Sequence, residues 1–243
     1  MKKLLMVCVA MVLTACGGGG SGGSAPAAPQ PLVTAEGIWV GKNSNGVDLS
    51  FAVLENGETW GLAAQNGIVF GAIYGTTASS GTTLTGSGKN FDIASRSVAP
   101  ITYSGTFVAK SSINVANSNG TTFPGSYNTA YDEPASLAAV AGTFMGQGVS
   151  GSSSVQSTPV TISPSGAISS PGSMGCSSSG NVSPRPSGKN IFDITVTFTG
   201  TSCALGNGTV TTGIAFYNTT TQRVLVVALN PAKTDGFIYI GQK

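Results

Sequence analysis

Short runs in which apolar and polar residues alternate recur along the chain after residue 32, broken at close intervals by Gly, Pro, Asn or Ser. The clearest is Asp193-Ile194-Thr195-Val196-Thr197-Phe198-Thr199, which puts Ile194, Val196 and Phe198 on one face and Asp193, Thr195, Thr197 and Thr199 on the other. A period of two belongs to a strand with one face in a core and one in water. Val47 to Leu54 and Thr59 to Ala64 flank Glu55-Asn56-Gly57-Glu58, and Asn-Gly between β-favouring runs predicts a hairpin. Further strands are predicted over Gly67 to Tyr74, Ile101 to Ala109, Asn190 to Thr199, Gly208 to Tyr217, Arg223 to Leu229 and Gly236 to Ile240. One short helix is predicted over Ala135 to Ala141: Asp132-Glu133-Pro134 suits a first turn, and Gly142 stops it. The fold class is all-β, as small barrels or sandwiches, because closure removes the exposed edges that so many short strands would otherwise present.

The pattern occurs twice. Leu32-Val33-Thr34-Ala35-Glu36-Gly37-Ile38-Trp39-Val40-Gly41 is echoed by Leu137-Ala138-Ala139-Val140-Ala141-Gly142-Thr143-Phe144-Met145-Gly146, with Leu, both glycines and an aromatic in step. Ser87-Gly88-Lys89-Asn90-Phe91-Asp92-Ile93 is echoed by Ser187 to Ile194 with one residue inserted, and Asn56-Gly57 by Ser165-Gly166. Echoes in the same order argue for an internal duplication. They predict two related β-domains, residues 32–133 and 134–243, with the short helix between them.

What precedes them has another character. Lys2 and Lys3 are followed by an uncharged run from Leu4 to Leu13, then Thr14, Ala15 and Cys16. A membrane-spanning helix needs roughly 20 apolar residues, so residues 1–15 read as a signal peptide and the chain as exported. Leu13-Thr14-Ala15-Cys16 resembles the lipobox of bacterial lipoproteins, in which cleavage falls before the cysteine. The resemblance implies a lipid-modified Cys16 with an acylated amino terminus. Gly17 in place of Asp implies the outer membrane as destination. Each buried methylene contributes about 0.8 kcal/mol, so several chains would hold the protein on a membrane almost permanently. The alternative is ordinary secretion, with Cys16 an incidental small residue. Gly17 to Pro31 is built of Gly, Ser, Pro and Ala except for Gln30, a tether whose typical reach is roughly 20 Å and whose limit is about 50 Å. Poly-Gly after such a cysteine is also similar to neisserial-type surface lipoproteins. A short helix followed by Gly-X-aromatic-X-Gly resembles the opening of calycin and lipocalin barrels.

Composition narrows the chemistry. Charged residues make up 8% of the 243 positions, while 35 glycines, 31 serines and 27 threonines dominate, which disfavours a helical bundle or a doubly wound α/β enzyme. With no histidine, every Ser-His-Asp and Cys-His mechanism and every His-ligated metal site is excluded. The formal charge of +2 includes Lys2 and Lys3, so the processed chain is formally neutral and carries no basic cluster for nucleic acid. Processing also removes Cys8 and blocks Cys16. Cys176 and Cys203 remain, and in an oxidising compartment they most simply pair, for about 3.5 kcal/mol. A redox or metal role would want Cys-X-X-Cys spacing or further ligands.

Few residues invite catalysis. Gly88-Lys89 and Gly188-Lys189 lack the leading glycine and the following Ser or Thr of a phosphate-binding loop, and both Ser-Gly-Lys-Asn segments read as turns. No Ser-X-X-Lys pair occurs. Asp132-Glu133 and Glu55/Glu58 suit solvated or capping roles better than acid-base work, and Asp132-Glu133 has too few neighbouring oxygens for calcium. Trp39, Trp60, Phe144 and the tyrosines either line a ligand cavity or fill the barrels, the filled interior being the expectation. The reading is a non-enzymatic lipoprotein without cofactors, membrane-bound through Cys16 and acting as an interaction module. Its alternatives are a calycin-like carrier of a small apolar ligand and a periplasmic structural accessory.

Overall fold

A computed structural model describes residues 34–243, except 67, 94, 151, 152, 154 and 174. The expected signal peptide, Cys16 and the tether lie outside the described residues.

Eight antiparallel strands follow one another up and down: β1 (Gly37–Lys42), β2 (Asp48–Val53), β3 (Glu58–Gln65), β4 (Ile68–Ser80), β5 (Thr83–Asp92), β6 (Ser97–Val108), β7 (Ser112–Asn117) and β8 (Thr122–Tyr127). Pairing of Trp39 with Tyr127 and Val40 with Ser126 closes them into a barrel. A 3-10 turn (Thr129–Asp132) and α1 (Leu137–Val140) lead to a second set: β9 (Gly142–Ser150), β10 (Gln156–Ile162), β11 (Ala167–Ser173), β12 (Cys176–Pro184), β13 (Phe192–Thr199), β14 (Val210–Asn218), β15 (Arg223–Leu229) and β16 (Gly236–Gln242). This set closes through the ladder from Phe237↔Ser150 to Gln242↔Met145. The all-β class and the two related barrels are thus present. So is a short helix, though it starts later than expected: Ser136 caps it, its Oγ accepting from the Ala139 N–H at 3.3 Å.

Two of the three sequence echoes occupy equivalent places. Ala35, Gly37, Trp39 and Gly41 correspond to Val140, Gly142, Phe144 and Gly146, and Trp39 and Phe144 are both completely buried at the start of a first strand. Gly57 and Gly166 each turn a second strand into a third at φ +80° and +87°. Each sends its carbonyl to a fourth-strand N–H, of Thr77 at 2.7 Å and Val182 at 2.8 Å. A Cβ at either position would stand 2.6 Å from the Thr77 carbonyl oxygen or 2.2 Å from that of Val182, so glycine is required in both copies. The third echo is not equivalent. Ser87-Gly88-Lys89-Asn90 lies inside β5, where pairing with β4 and β6 corrects its reading as a turn, while Ser187-Gly188-Lys189-Asn190 forms the turn before β13. The matched residues therefore sit at opposite ends of the two fifth strands.

The apolar residues form three cores. One fills the first barrel, around Trp39, Phe51, Leu84, Tyr103, Phe107 and Phe123. A second occupies the other barrel, around Phe144, Ile168, Ile194, Val196, Val226 and Tyr239. The third joins the outer faces of the barrels: Ile38, Ala52, Trp60, Leu62 and Phe91 from the first pack with Ile191, Ile214, Val227, Leu229 and Ile238 from the second. Strands at this junction are apolar on both faces, as Val224, Val226 and Ala228 inside and Leu225, Val227 and Leu229 outside illustrate on β15. Polar contacts tie its margin. Arg185 of the second barrel binds Glu55 at 2.8 Å and Glu58 at 3.4 Å in the first and Asp193 at 2.6 Å in its own, and Asn190 Nδ2 donates to Ala130 O at 3.0 Å.

Candidate functional site

An eight-stranded barrel is just wide enough for side chains to fill, so the volume of the inward residues decides whether space remains. In the first barrel rings take it up. Trp39 stands edge-on to Tyr127 with centroids 5.3 Å apart, and Phe51 to Tyr103 at 5.5 Å. The Tyr103 hydroxyl joins a buried chain through Thr77 (2.8 Å) to Thr59 (2.7 Å). The fit is so close that a Cβ on Gly86 would fall 2.2 Å from the Tyr103 ring.

The second barrel packs rings across its floor but not through the middle of its lumen. Phe144 and Tyr217 meet edge to face at 5.9 Å, and the Tyr239 hydroxyl, 2.9 Å from the Phe144 carbonyl and 3.2 Å from that of Thr158, donates between them. Burial pushes the Tyr239 phenol up to about 12, so it stays neutral. Lys243 closes this end from outside, its ammonium 4.9 Å from the Tyr217 ring centroid and donating to Ala139 O at 2.6 Å.

Above this floor the inward positions carry β-branched aliphatics, and a cavity of about 160 Å³ remains. Val160, Ile162, Ile168, Ile194, Val196, Val224 and Val226 form its wall, with Phe198 and Phe237 higher up. The mouth changes character to hydroxyls. Thr158 pairs with Ser170 at 2.9 Å and Ser150 with Ser153 at 2.9 Å, while Ser178 and Ser202 also border the space. Ala204 and Leu205, from the loop between β13 and β14, complete the rim. Cys203 in that loop is joined by a disulfide to Cys176, the first residue of β12, and the loop is folded on itself by Thr209 Oγ1 donating to Leu205 O at 2.6 Å. The two cysteines singled out in the sequence thus sit at the mouth of this cavity.

Other expected residues are structural. Trp60 lies outside either lumen, in the junction between barrels, which corrects its reading as lining or filling a barrel interior. Burial works against the Asp132 carboxylate, but hydrogen bonds from Lys189 (2.6 Å) and Lys110 (3.0 Å) outweigh it and hold its pKa below the usual carboxylate value. Glu133 accepts from Thr219 at 3.2 Å, and Glu55 and Glu58 are engaged by Arg185. Among the described residues no group of three or more His, Cys, Asp or Glu is placed to hold a metal ion, and no helix is long and apolar enough to cross a membrane.

A second concavity, of about 430 Å³, runs along the junction between Val40, Trp60 and Leu62 on one barrel and Phe216, Leu225 and Ile240 on the other. Near it Ile68 and Met145 are more than half exposed. Sequence reasoning missed the difference between the two lumens. The available signal was the swap of rings for Val and Ile at inward positions, usable only once the register of every strand was known. No protein-family model matches the chain, and neither does any curated protein.

Proposed function

We propose that the protein is an envelope lipoprotein, anchored through Cys16 to the outer membrane, whose second barrel binds a small apolar molecule. The cavity above Phe144 and Tyr239 carries this reading: its wall is largely aliphatic, its mouth mixes neutral hydroxyls with Ala204 and Leu205, and its volume of about 160 Å³ is that of a void able to take a ring-sized guest. The lipobox pattern Leu13-Thr14-Ala15-Cys16 and the Gly/Ser/Pro tether support the anchor. The first barrel, packed through its core, supports the second by lending it a shared apolar face. No carboxylate is among the described residues lining the lumen, and Glu55, Glu58, Asp132 and Asp193 are ion-paired outside it.

Binding is tested by following thermal unfolding under benzene, which should raise the midpoint of the wild-type protein and raise it much less in a Val196→Phe variant, whose added ring takes roughly a third of the space. Equal shifts in both, or none in either, would overturn the assignment. The anchor is tested separately by metabolic labelling with an alkyne fatty acid, which Cys16→Ser should abolish. A second reading rests on the exposed Ile68 and Met145 beside the groove between the barrels, which suit a protein partner docked across both. Cross-linking from position 145 in intact cells would capture that partner, and silence there would remove this reading.

A further inference from the structure

We infer that the ligand of the second barrel is an uncharged, ring-sized apolar molecule carrying at most one hydroxyl-type group, of the toluene or benzyl alcohol class. This rests on the reading of the lumen as a binding site and adds what that site excludes.

The exclusion comes from charge. Apart from Tyr239, held neutral at the floor, no described residue lining the cavity carries an ionisable group. The sequence explains this: no Asp, Glu, Lys or Arg occurs between Glu133 and Arg185, nor between Asp193 and Arg223. Those two stretches supply β9 to β12, most of β13, β14 and the disulfide loop, and with them almost the whole mouth. Arg185, Lys189 and Asp193 fall at the opposite, floor end of the barrel. In the one charged connection at the mouth end, between β15 and β16, Lys233 lies 3.9 Å over the Tyr74 ring of the first barrel, and the Asp235 carboxylate accepts from the Gly236 N–H at 2.7 Å. A carboxylate or ammonium guest would shed its water and meet no counter-charge, a cost that grows steeply with the dryness of the wall.

Size and polarity set the rest. A cavity of about 160 Å³ is close to the engineered apolar void of about 150 Å³ that takes benzene, and too small for a long acyl chain or a multi-ring cofactor. The polar side of the space is a set of neutral rotors, with Thr158 and Ser170 bonded to each other at 2.9 Å. Thr158 Oγ1 also donates to Pro159 O at 3.4 Å and Ser170 Oγ accepts from the Gly172 N–H at 3.2 Å, so the pair keeps lone pairs to accept from a guest hydroxyl and leaves no buried group unpaired when the guest lacks one. Loss of the guest hydroxyl therefore weakens binding modestly, and gain of charge weakens it severely.

The test titrates benzyl alcohol, toluene, benzoate and benzylamine into the protein and reads the methyl resonances of valine and isoleucine. Benzyl alcohol and toluene should shift the methyls of Ile194, Val196 and Val226 with affinities within about tenfold of each other, because Thr158 and Ser170 are already paired with each other. Benzoate and benzylamine should bind at least about 100-fold more weakly. Binding of either ion as tight as that of benzyl alcohol would overturn the inference while leaving the cavity as the site. If none of the four, nor xenon, moves those methyls, the cavity itself is not a site and both readings fall.

Discussion

Replacing valine by phenylalanine in the two lumens should have opposite effects. Val196 borders the cavity of the second barrel and Val115 belongs to the packed core of the first, and both are buried. A void is penalised by about 24 cal/mol per Å³, so a cavity of about 160 Å³ leaves about 4 kcal/mol unrealised. A phenyl ring at 196 would occupy roughly a third of the space and should stabilise the protein by about 1 kcal/mol. At 115 the same added volume meets the rings of Phe107 and Phe123 and should cost about 1–3 kcal/mol. Urea unfolding monitored by tryptophan fluorescence would resolve the gap of about 2–4 kcal/mol. In thermal unfolding it corresponds to several degrees, at about 2–4 °C per kcal/mol for a protein of this size. If Val196→Phe costs as much as Val115→Phe, the second lumen is as full as the first and the account of the site is wrong.

Three further outcomes follow from contacts described above. Replacing Cys176 and Cys203 by serine should cost about 3.5 kcal/mol, from release of a loop closed across a separation of 27 residues, and reduced wild-type protein should unfold at the same urea concentration as the variant. Equal stability with and without reductant would contradict it. Arg185→Ala leaves Glu55, Glu58 and Asp193 facing one another at the edge of the junction and should destabilise by about 1–3 kcal/mol, with Arg185→Lys recovering only part because a single ammonium cannot reproduce the fork. Full recovery by lysine would show that geometry there is immaterial. Alkaline pH should weaken the fold: Tyr239 ionises near 10 when unfolded and about 12 when folded, so its contribution is complete below pH 10 and is lost as pH rises through 12. Stability measured alongside phenolate absorbance should decline over that window, less so in Tyr239→Phe, and a flat profile would refute the burial of this hydroxyl.

How much could be read in advance depended on how local the cause was. The alternation at 193–199 settled which residues face the core because a strand's geometry is local: Ile194 and Val196 are buried and Thr195 and Thr199 exposed. The Asn56-Gly57 turn was legible for the same reason. Ser-Gly-Lys-Asn shows the limit, since the same tetrapeptide is strand in one barrel and turn in the other. Gly88 is held extended against Gly75 of β4, whereas Gly188, without such a neighbour, turns at φ +71°. The continuous apolar run from Val224 to Leu229 was legible as a strand but not as one buried on both faces, because the face it meets lies far away in sequence. The cavity was the least legible, being a difference in summed side-chain volume between two registers.

The junction between the barrels also bears on how such a chain can change over time. A tandem copy normally stays dispensable, since losing it returns the ancestor. Here Ile38, Ala52 and Leu62 shelter Ile214, Val227 and Ile238, and each group would face water if its counterpart were deleted. Both copies are thereby kept whatever either one does, which frees one lumen to remain solid ballast while the other is hollowed and reshaped. The asymmetry between the packed barrel and the open one is the kind of divergence that such mutual dependence permits.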